Sequence, residues 1–410
     1  MKPGTFGHRA DRLSQMEWVR PFCCALSCAL LNSAAKFGDI WHKISSWGWI
    51  RARGTVRLVG MSIQPWIVST CLLAAYLVAI PATSAEPSNL AATKTTALRY
   101  LGMCDASGAV AIGSDAYVVA NDEDNRLRFF SNQRGGAALQ TFDLTPYLRI
   151  QSVGDEADLE AAAAMGKYVY WMASHGRSGS GKIKSDRHKF IATRVTRRGK
   201  RFEVKVVGRA YGRLILDMLA DRRLGGVGLA QATQFTQKAV RRLAPKAEGL
   251  NIEGLAAGAD GKSLLIAFRN PRPGGKALLV PLTNPEAVVT RGVKGKFGPP
   301  ILLDLGGLGV RSIAYSAPHG GYLIVAGRHD TQRDFVLYRW SGKSTDAAIR
   351  LLKIKSPRFG PEALVVFPGR DDLFLLSDDG TLKVGGIECK SADVANRSFV
   401  GRWFKVPVQP

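Results

Sequence analysis

The chain has 410 residues, of which 46% are hydrophobic and 22% charged, and its formal net charge is +24, with 57 Lys and Arg against 33 Asp and Glu. This composition excludes an intrinsically disordered or collagen-like protein and allows a sizeable buried core. The 44 glycines and 19 prolines favour many short strands over long helices.

The first 85 residues include a segment typical of a signal peptide. Residues 66–82, "WIVSTCLLAAYLVAIPA", are almost entirely apolar, and small residues up to Ala85 precede the polar "EPSN". This order predicts a signal peptide over residues 61–85, cleaved after Ala85, and a periplasmic or secreted protein. An uncleaved membrane anchor, the only expected membrane contact, is the alternative. Residues 1–60 are interpreted as a disordered extension or the product of a start codon assigned too early.

Two of the six cysteines follow the predicted cleavage point. Removal of residues 1–85 would leave Cys104 and Cys389 in a chain with a net charge of +18. One cysteine near each end of an exported domain predicts a disulfide, while two unrelated free thiols are the alternative.

A repeated unit follows from Cys104 onward. It consists of a polar residue, a small residue, a short apolar run, a turn with glycine, a second apolar run and further polar groups. The units are anchored at Asp105, Glu160, Glu253, Ser312 and Glu362, with spacings of 55, 93, 59 and 50 residues. Paired short strands at a period near 50 residues predict an all-β fold, a β-propeller of five to seven blades and most simply six. The long gap allows a degenerate unit or an insertion.

Residues 212–249 interrupt the strand pattern. Leu214, Ile215, Met218 and Leu219 lie at helical spacing, which predicts a small helical insertion, either a lid or a packing element. The chain from residue 86 to residue 410 is therefore expected to be a single propeller domain, and a monomer.

Polar residues at the repeated positions predict a site at the mouth of the central channel, because a propeller brings equivalent positions of its repeats onto one ring. His175, Arg269 and Glu253 are the catalytic candidates, and Glu160, Glu253 and Glu362 are the candidate metal ligands. The full set of binding candidates is Asp105, Asp122, Glu123, Asp124, Glu160, His175, Arg177, Glu253, Arg269, Asn270, Arg328 and Glu362. Asp378 and Asp379 in "SDDG" are interpreted as ordinary hairpin-turn residues.

Basic residues are concentrated between Lys182 and Arg213, where twelve Lys and Arg face only Asp186 and Glu203. In "KRFEVKVV" charged and apolar residues alternate, which predicts a strand with one charged face. This face is either solvated or attracts phosphate-bearing envelope material. Nucleic acid is not expected as a partner outside the cytosol.

Several motifs together resemble one bacterial family. "MCDASGAV", "VANDEDN", "ADLEAAA", "YWMASHGR", "GLNIEGLAAGADGKSLLIAFRNP" and "FGPEALVV" make residues from about Leu101 to Gly386 similar to the family designated domain of unknown function 3616, which has no established activity. The segment Glu253–Ala256 ("EGLA") also resembles an element of phytase-like propellers, in which acidic channel residues hold calcium. This second resemblance implies calcium as a candidate cofactor.

Two functions of different classes are compatible with these observations. The first is a binding module for an anionic envelope component, a small molecule or a protein at the channel mouth. The second is a metal-assisted hydrolase of an anionic ester. The acids of the channel need a neutralising partner, either Ca²⁺ or the arginines Arg177, Arg269 and Arg328, of which the arginines are favoured. Motifs for an elbow nucleophile or a nucleotide-binding loop are absent from the sequence.

Overall fold

The computed structural model describes residues 97–151, 154–330, 332–354 and 358–406. The predicted signal peptide and the extension before it lie outside these residues. The described part of the chain forms five four-stranded antiparallel sheets arranged as a β-propeller. The predicted all-β propeller is thus confirmed, and the preferred number of six blades is wrong.

Blades 1 to 3 take their strands in chain order. Blade 1 contains β2 (Ala109–Ala111), β3 (Ala116–Ala120), β4 (Arg126–Ser131) and β5 (Gln140–Asp143). Blade 2 contains β6 (Leu159–Met165), β7 (Tyr168–Ala173), β8 (Phe190–Arg198) and β9 (Arg201–Tyr211). Blade 3 contains β10 (Asn251–Ala257), β11 (Leu264–Asn270), β12 (Ala277–Leu282) and β13 (Ile301–Leu303).

Blade 5 closes the ring by joining the two ends of the domain. Blade 4 contains β14 (Gly309–Ser316), β15 (Gly321–Gly327), β16 (Phe335–Trp340) and β17 (Ile349–Ile354). Blade 5 contains β18 (Pro361–Val366), β19 (Asp372–Ser377), β22 (Ser398–Lys405) and, as its outer strand, the first strand of the domain, β1 (Leu98–Leu101). A hairpin of β20 (Lys383–Val384) and β21 (Ile387–Glu388) lies between β19 and β22. Because β1 pairs with β22, opening the ring would break a sheet.

The disulfide Cys104–Cys389 adds a covalent closure at the same place. Its Cα atoms are 6.0 Å apart although the cysteines are separated by 285 residues. The predicted pairing is therefore confirmed, and it places Asp105 and Lys390, the next residue after each cysteine, close to one another at the ring closure.

The first hairpin of each blade has the glycine turn that the repeat predicts. Gly113, Gly166, Gly261, Gly320 and Gly369 lie between the first and second strands of blades 1 to 5, and all have φ between 57° and 78°. Glycine adopts this left-handed backbone without the steric penalty of a side chain. The five turns therefore occur where the chain can reverse at least cost.

The core is divided among the blade interfaces. The described residues form five apolar clusters, one between each pair of neighbouring blades. Because both faces of a blade are covered, inner strands such as β7 (YVYWMA) and β15 (GYLIVAG) are buried at every position.

The helices occur in the connections. They are α1 (Thr145–Leu148), α2 (Leu214–Ala220), α3 (Leu229–Thr233) and α4 (Pro285–Arg291). Short 3-10 turns cover Ser185–Arg187, Arg222–Leu224, Arg241–Leu243, Pro273–Gly275, Cys389–Ser391 and Val394–Asn396. None of the described helices is long and apolar enough to cross a membrane.

The long gap between Glu160 and Glu253 holds an insertion and no sixth sheet. The segment 212–249 contains α2, α3 and two of the 3-10 turns, and its Leu214, Ile215 and Met218 are buried in the cluster between blades 2 and 3. The insertion is thus a packing element at one end. At its other end, residues 244–246 line the cavity at the channel mouth. This position is also compatible with the alternative prediction of a lid.

Candidate functional site in the central channel

A β-bulge on the innermost strand of each blade aims one side chain at the channel axis. The pairing of β6, β10, β14 and β18 with their neighbours skips one residue, which is Glu160, Glu253, Arg311 and Glu362 in turn. In blade 1, Ala120 accepts from the amide of Ser107 and donates to the carbonyl of Gly108, so Ser107 is the equivalent residue. Bulges commonly redirect a side chain in this way next to functional sites.

This register corrects the sequence alignment of the repeats in two blades. Asp105 and Ser312 were equated with the glutamates, but the bulge residues are Ser107 and Arg311. Asp105 instead corresponds to Asp158, two residues before the bulge. Before the strand pairing is known, one repeat can be moved by one or two residues against the others and the short apolar runs still overlap. The sequence alone therefore does not reveal the offset in these two blades.

On one side of the channel, arginines neutralise the glutamates. Arg311 lies between two of them, with Nη1 2.8 Å from Oε2 of Glu253 and Nη2 2.6 Å from Oε1 of Glu362. The first contact is an ion pair without the alignment of a hydrogen bond. Arg269 Nη1 lies 2.7 Å from Oε1 of Glu253, which also accepts a 2.6 Å hydrogen bond from Asn251. We call Glu253, Glu362, Arg269 and Arg311 the arginine side.

On the other side of the channel, several carboxylates lie close together, and most of them have no arginine or lysine partner among the described residues. One oxygen from each of Asp122, Asp158 and Glu160 lies within 4.8 Å of the others, and the same holds for Asp105, Asp122 and Glu123. We call Asp105, Asp122, Asp158 and Glu160 the acidic side. Glu160 is only 8% exposed, and its Oε2 has no hydrogen-bond partner among the described residues.

Asp158 is the one member of the acidic side with a described cationic partner. Arg187 lies 3.0 Å from Asp158 and 2.6 Å from Glu156, and Ser174 donates a short hydrogen bond to Asp158. Arg187 therefore offsets part of the charge at the edge of the acidic side, whereas Glu160 receives no direct contact from it.

Burial and mutual repulsion raise the pKa values on the acidic side. The pKa values of Glu160 and Asp122 lie well above their usual range, chiefly because the groups are desolvated and secondly because neighbouring carboxylates repel the charge. Desolvation also raises the pKa of Asp105, with the charge of Asp122 as the next cause. A protein without a bound cation would thus hold protons on this side at neutral pH.

Asp378 stays ionised at the junction of the two sides. Burial acts to raise its pKa, but hydrogen bonds with Asp105 and Glu362 and the charge of Arg311 lower it below the ordinary value. The pKa of Glu362 rises to about 8 because desolvation outweighs the attraction of Arg311. The protonated carboxyls of Asp105 and Glu362 therefore donate hydrogen bonds to the ionised carboxylate of Asp378.

The channel opens into a cavity of about 420 Å³ with a basic mouth. The carboxylates of both sides line its floor. The basic residues that line it nearer the surface are Arg187, Lys246, Arg328, Arg333 and Lys390. Lys390 lies 3.3 Å from Glu123, and Arg328 lies 2.6 Å from Asp330.

Four of the predicted site residues are not among the described residues that line the cavity. Asp124 forms an ion pair with Arg128 at 2.7 Å and accepts from the amide of Arg126. Arg177 donates to the carbonyls of Gly181 and Thr233, and thereby holds the insertion in place.

The other two are His175 and Asn270. His175 is buried with Nδ1 2.8 Å from the carbonyl oxygen of Ala173, and its ring stacks on His188. Desolvation lowers its pKa to about 3, so the ring is neutral. Asn270 donates to the carbonyl of Gly249 at 2.8 Å. Both hold the backbone around the site.

Sequence reasoning missed many of the residues that line the cavity, among them Arg187, Arg333 and Lys390 at the mouth and three residues within the channel. Arg311 is absent from the predicted site because Ser312 is aligned at its repeat position. Asp158 is absent because the alignment considers Glu160, two residues later, and not the residues before it. Asp378 does accept a turn hydrogen bond from Gly380 at 3.0 Å, as the turn interpretation predicts, but it also lies in the channel. The strand register puts it at the position that Asp122 has in blade 1. The equivalence of Asp378 with the predicted residue Asp122 is the feature from which its place in the channel could have been predicted.

Comparisons with known proteins identify the family. The chain resembles the aldose sugar dehydrogenase of Streptomyces coelicolor in its PQQ-bound form, with 13% identity, a TM-score of 0.37 and coverage of 76% of this chain and 100% of the other. Virginiamycin B lyase of Staphylococcus aureus gives 9% identity and a TM-score of 0.34, with coverage of 76% and 99%. At these identities no activity is transferred. No curated protein matches the chain.

The family model "Protein of unknown function (DUF3616)" matches residues 105–209 and 228–360. These segments include the bulge residues Ser107, Glu160, Glu253 and Arg311. Since they cover more than half of the 410 residues, the protein is a member of the DUF3616 family.

Proposed function

We propose that the protein is a binding module whose channel holds a divalent cation and, through it, an anionic ligand at the mouth. The observation that carries the proposal is the carboxylate of Glu160, which is buried beside Asp122 and Asp158 without a hydrogen-bond donor to Oε2. Ionisation of a buried carboxyl without a partner is costly. A bound cation would remove this cost.

The donor set favours a cation that prefers oxygen. No histidine or cysteine is among the described residues that line the cavity, whereas several carboxylates converge there. Calcium takes six to eight oxygen ligands, so three carboxylates would be completed by water or by the ligand. Calcium is accordingly the cation we propose.

The position of the cation differs in part from the sequence prediction of Glu160, Glu253 and Glu362 as ligands. Oxygens of these three residues do lie within 4.8 Å of one another. Glu253 and Glu362, however, already contact Arg311 at 2.8 and 2.6 Å, and a divalent cation would be repelled by that guanidinium. We therefore propose Asp122 and Glu160, which have no cationic partner among the described residues, as the primary ligands. Asp158 is the third ligand, although its Oδ2 also lies 3.0 Å from Arg187.

The mouth supports an anionic small molecule as the ligand. A cavity of about 420 Å³ is in the size range of small-molecule sites. Arg187, Arg333 and Lys390 at its rim would attract a carboxylate or phosphate group, which the cation could also coordinate. The disulfide supports a further part of the proposal, that the protein acts in the periplasm or outside the cell.

Isothermal titration of chelator-treated protein with CaCl₂ tests the cation. One saturable site is expected in the wild type, with loss of binding in Glu160→Gln. Glu286→Gln, an exposed acid on α4, is the matched control and should bind as the wild type does. Absence of saturable binding in the wild type, or unchanged binding in Glu160→Gln, would refute the proposed site.

A second candidate function is metal-assisted hydrolysis of a phosphate or carboxylate ester. The observation in its favour is that two carboxylate trios share Asp122, an arrangement compatible with two neighbouring cations of the kind that many phosphatases use. His175 does not line the cavity, so it is not a suitable base in this arrangement. Release of p-nitrophenol from p-nitrophenyl phosphate that depends on calcium and on Asp122 would favour the hydrolase over the binding module.

A further inference from the structure

The β8–β9 hairpin of blade 2 displays a dense group of exposed cations away from the channel. We call five of its solvent-exposed basic residues, Arg194, Arg198, Lys200, Arg201 and Lys205, the hairpin patch; Arg197 and Arg209 on the same two strands are exposed as well. Glu203 is the one acid between Arg194 and Arg209. The patch lies in a chain with a net charge of +24, so counter-charges elsewhere do not cancel its potential.

The strand register places the patch residues on one face of the hairpin. Arg194 pairs with Lys205, and Arg198 pairs with Arg201. Residues directly opposite one another in an antiparallel pair lie on the same face. Each of these pairs brings like charges together, which destabilises a sheet unless an anion lies between them.

The opposite face of the hairpin has the ordinary role of packing. Phe202 is buried in the cluster between blades 1 and 2, and Val195 and Val204 pack against it. Arg197, also on that face, forms an ion pair with Asp115 and lies over the ring of Phe202. The blade therefore needs the apolar face for its stability, but it does not need the cations of the hairpin patch.

The cations of the patch are largely unpaired. Glu203 lies 2.7 Å from Lys205 and 3.7 Å from Arg198. No carboxylate of the described residues lies within ion-pair distance of Arg194 or Arg201. Glu203 is thus shared by the two cross-strand pairs and offsets only part of their positive charge, and the excess that remains is typical of a surface that binds anions.

The shape of the patch favours a linear partner. The two cross-strand pairs are separated by four residues along the strands, about 13 Å, while the strands themselves are about 5 Å apart. The large hydrophobic residues exposed in the described chain include none from β8 or β9, so the patch lacks the apolar anchors of a protein interface. A narrow charged strip matches a polymer better than a flat lipid surface.

We propose that the hairpin patch binds a linear polymer of phosphate groups. The ligand lies along the hairpin, and its phosphates contact the guanidinium groups of Arg194, Arg198 and Arg201 in the bidentate manner that arginine favours. This site is independent of the cation site in the channel. It would attach the protein to a polyanion while leaving the channel mouth free.

Fluorescence anisotropy with labelled long-chain inorganic polyphosphate tests the site. The triple variant Arg194→Gln, Arg198→Gln and Arg201→Gln should bind at least tenfold more weakly at about 0.1 M salt, and its plot of log affinity against log salt should be less steep by roughly three. The control removes the same charge from scattered exposed lysines, Lys262→Gln, Lys276→Gln and Lys343→Gln, and should lose much less affinity.

Three outcomes would overturn the proposal. One is absence of polyphosphate binding by the wild-type protein. Another is an equal loss of affinity in the control triple variant, which would mean that only net charge matters. The third is binding to vesicles with anionic lipid that persists when polyphosphate does not bind, which would assign the patch to a membrane. Circular dichroism of both triple variants verifies that they are folded.

Discussion

The two sides of the central channel bury carboxylates in different ways. On the arginine side, Glu253 and Glu362 are held by Arg311 at 2.8 and 2.6 Å, and Glu253 also contacts Arg269. On the acidic side, Glu160 lies among carboxylates and has no such contact, and desolvation raises its pKa. Yet Glu160 stands at the same bulge position of an innermost strand as Glu253 and Glu362 do.

The difference lies in how the buried carboxylates are neutralised. An arginine is an always-charged partner that the fold supplies itself. A carboxylate with a raised pKa is neutralised by a proton, or by a cation that displaces this proton. The arginine side is therefore mainly structural, although its Glu362 also titrates because desolvation raises its pKa to about 8. The acidic side is the part of the channel where carboxylates lack an arginine partner, apart from Asp158, and where a cation can act.

Removal of Arg311 is expected to have the largest effect. Arg311→Met keeps much of the side-chain volume but leaves Glu253 and Glu362 buried without their shared partner, which should lower the free energy of unfolding by about 3–5 kcal/mol. Arg328→Met is the control, because the pair Arg328–Asp330 is partly exposed and should contribute about 1 kcal/mol or less. Urea unfolding measures both. Equal losses would mean that the arginine side is not structural.

Glutamate-to-glutamine changes on the two sides should differ in whether their effect on stability depends on calcium. At a calcium concentration a hundredfold above Kd, the wild type should gain about 2.7 kcal/mol of stability, and Glu160→Gln should lose this gain while remaining at least as stable as the wild type in chelator. Glu253→Gln weakens contacts with Arg269 and Arg311, so it should be destabilised with and without calcium. Thermal unfolding with and without chelator measures this. A calcium gain that survives in Glu160→Gln would contradict the assignment of the two sides.

The pH dependence of stability should differ with and without the cation. The folded pKa of Glu362 is about 8 against an ordinary 4.5, and those of Glu160 and Asp122 are also raised. The native state thus holds protons that the unfolded chain releases above about pH 4.5, so stability without calcium should fall as pH rises from 5 to 8. The slope should be about 1.4 kcal/mol per pH unit for each titrating proton.

Calcium should flatten this decline, because it favours the ionised carboxylates and replaces their protons. Urea unfolding at several pH values, with calcium or chelator, measures the two slopes. Stability that rises over this range in chelator would show that the buried carboxylates are already ionised in the native protein.

The smallest effect is expected for Asp124→Asn. Asp124 was predicted in the site, but it pairs with Arg128 outside the channel. The change should cost about 0.5–1 kcal/mol, as for a partly exposed ion pair, and should leave calcium titration unchanged. A loss of calcium binding in this variant would place Asp124 among the ligands and contradict its position outside the channel.

The parts of the fold that depend on residue types close together in the chain could be predicted from the sequence. Glycine turns at Gly166, Gly261 and Gly320 between short apolar runs predict paired strands, and their repetition predicts a propeller. The number of blades was not accessible, because a gap of 93 residues between Glu160 and Glu253 is equally compatible with another blade or with the insertion that contains α2 and α3. Only strand pairing distinguishes these alternatives.

The candidate site was accessible in part for the same reason. Glu160, Glu253 and Glu362 stand at the same place in motifs that are easily aligned, and the bulges bring them together. His175 looked equivalent as a polar residue after a strand, yet its ring turns into the protein and stacks on His188. The direction of a side chain after a strand depends on backbone angles, and His175 has a φ of 56°, which no periodicity predicts.

Residue type and spacing along the chain are enough to predict the repeated strand pairs, the residues available for a ring of carboxylates and the two cysteines that close the ring. The five blades, the neutralisation of Glu253 and Glu362 by Arg311, and the lack of such a partner for Glu160 become visible only when the strands are paired. The ion pairs of Arg311 join residues more than 50 positions apart in the chain, and whether such a pair forms depends on strand register and distance, which a pattern along the chain does not contain.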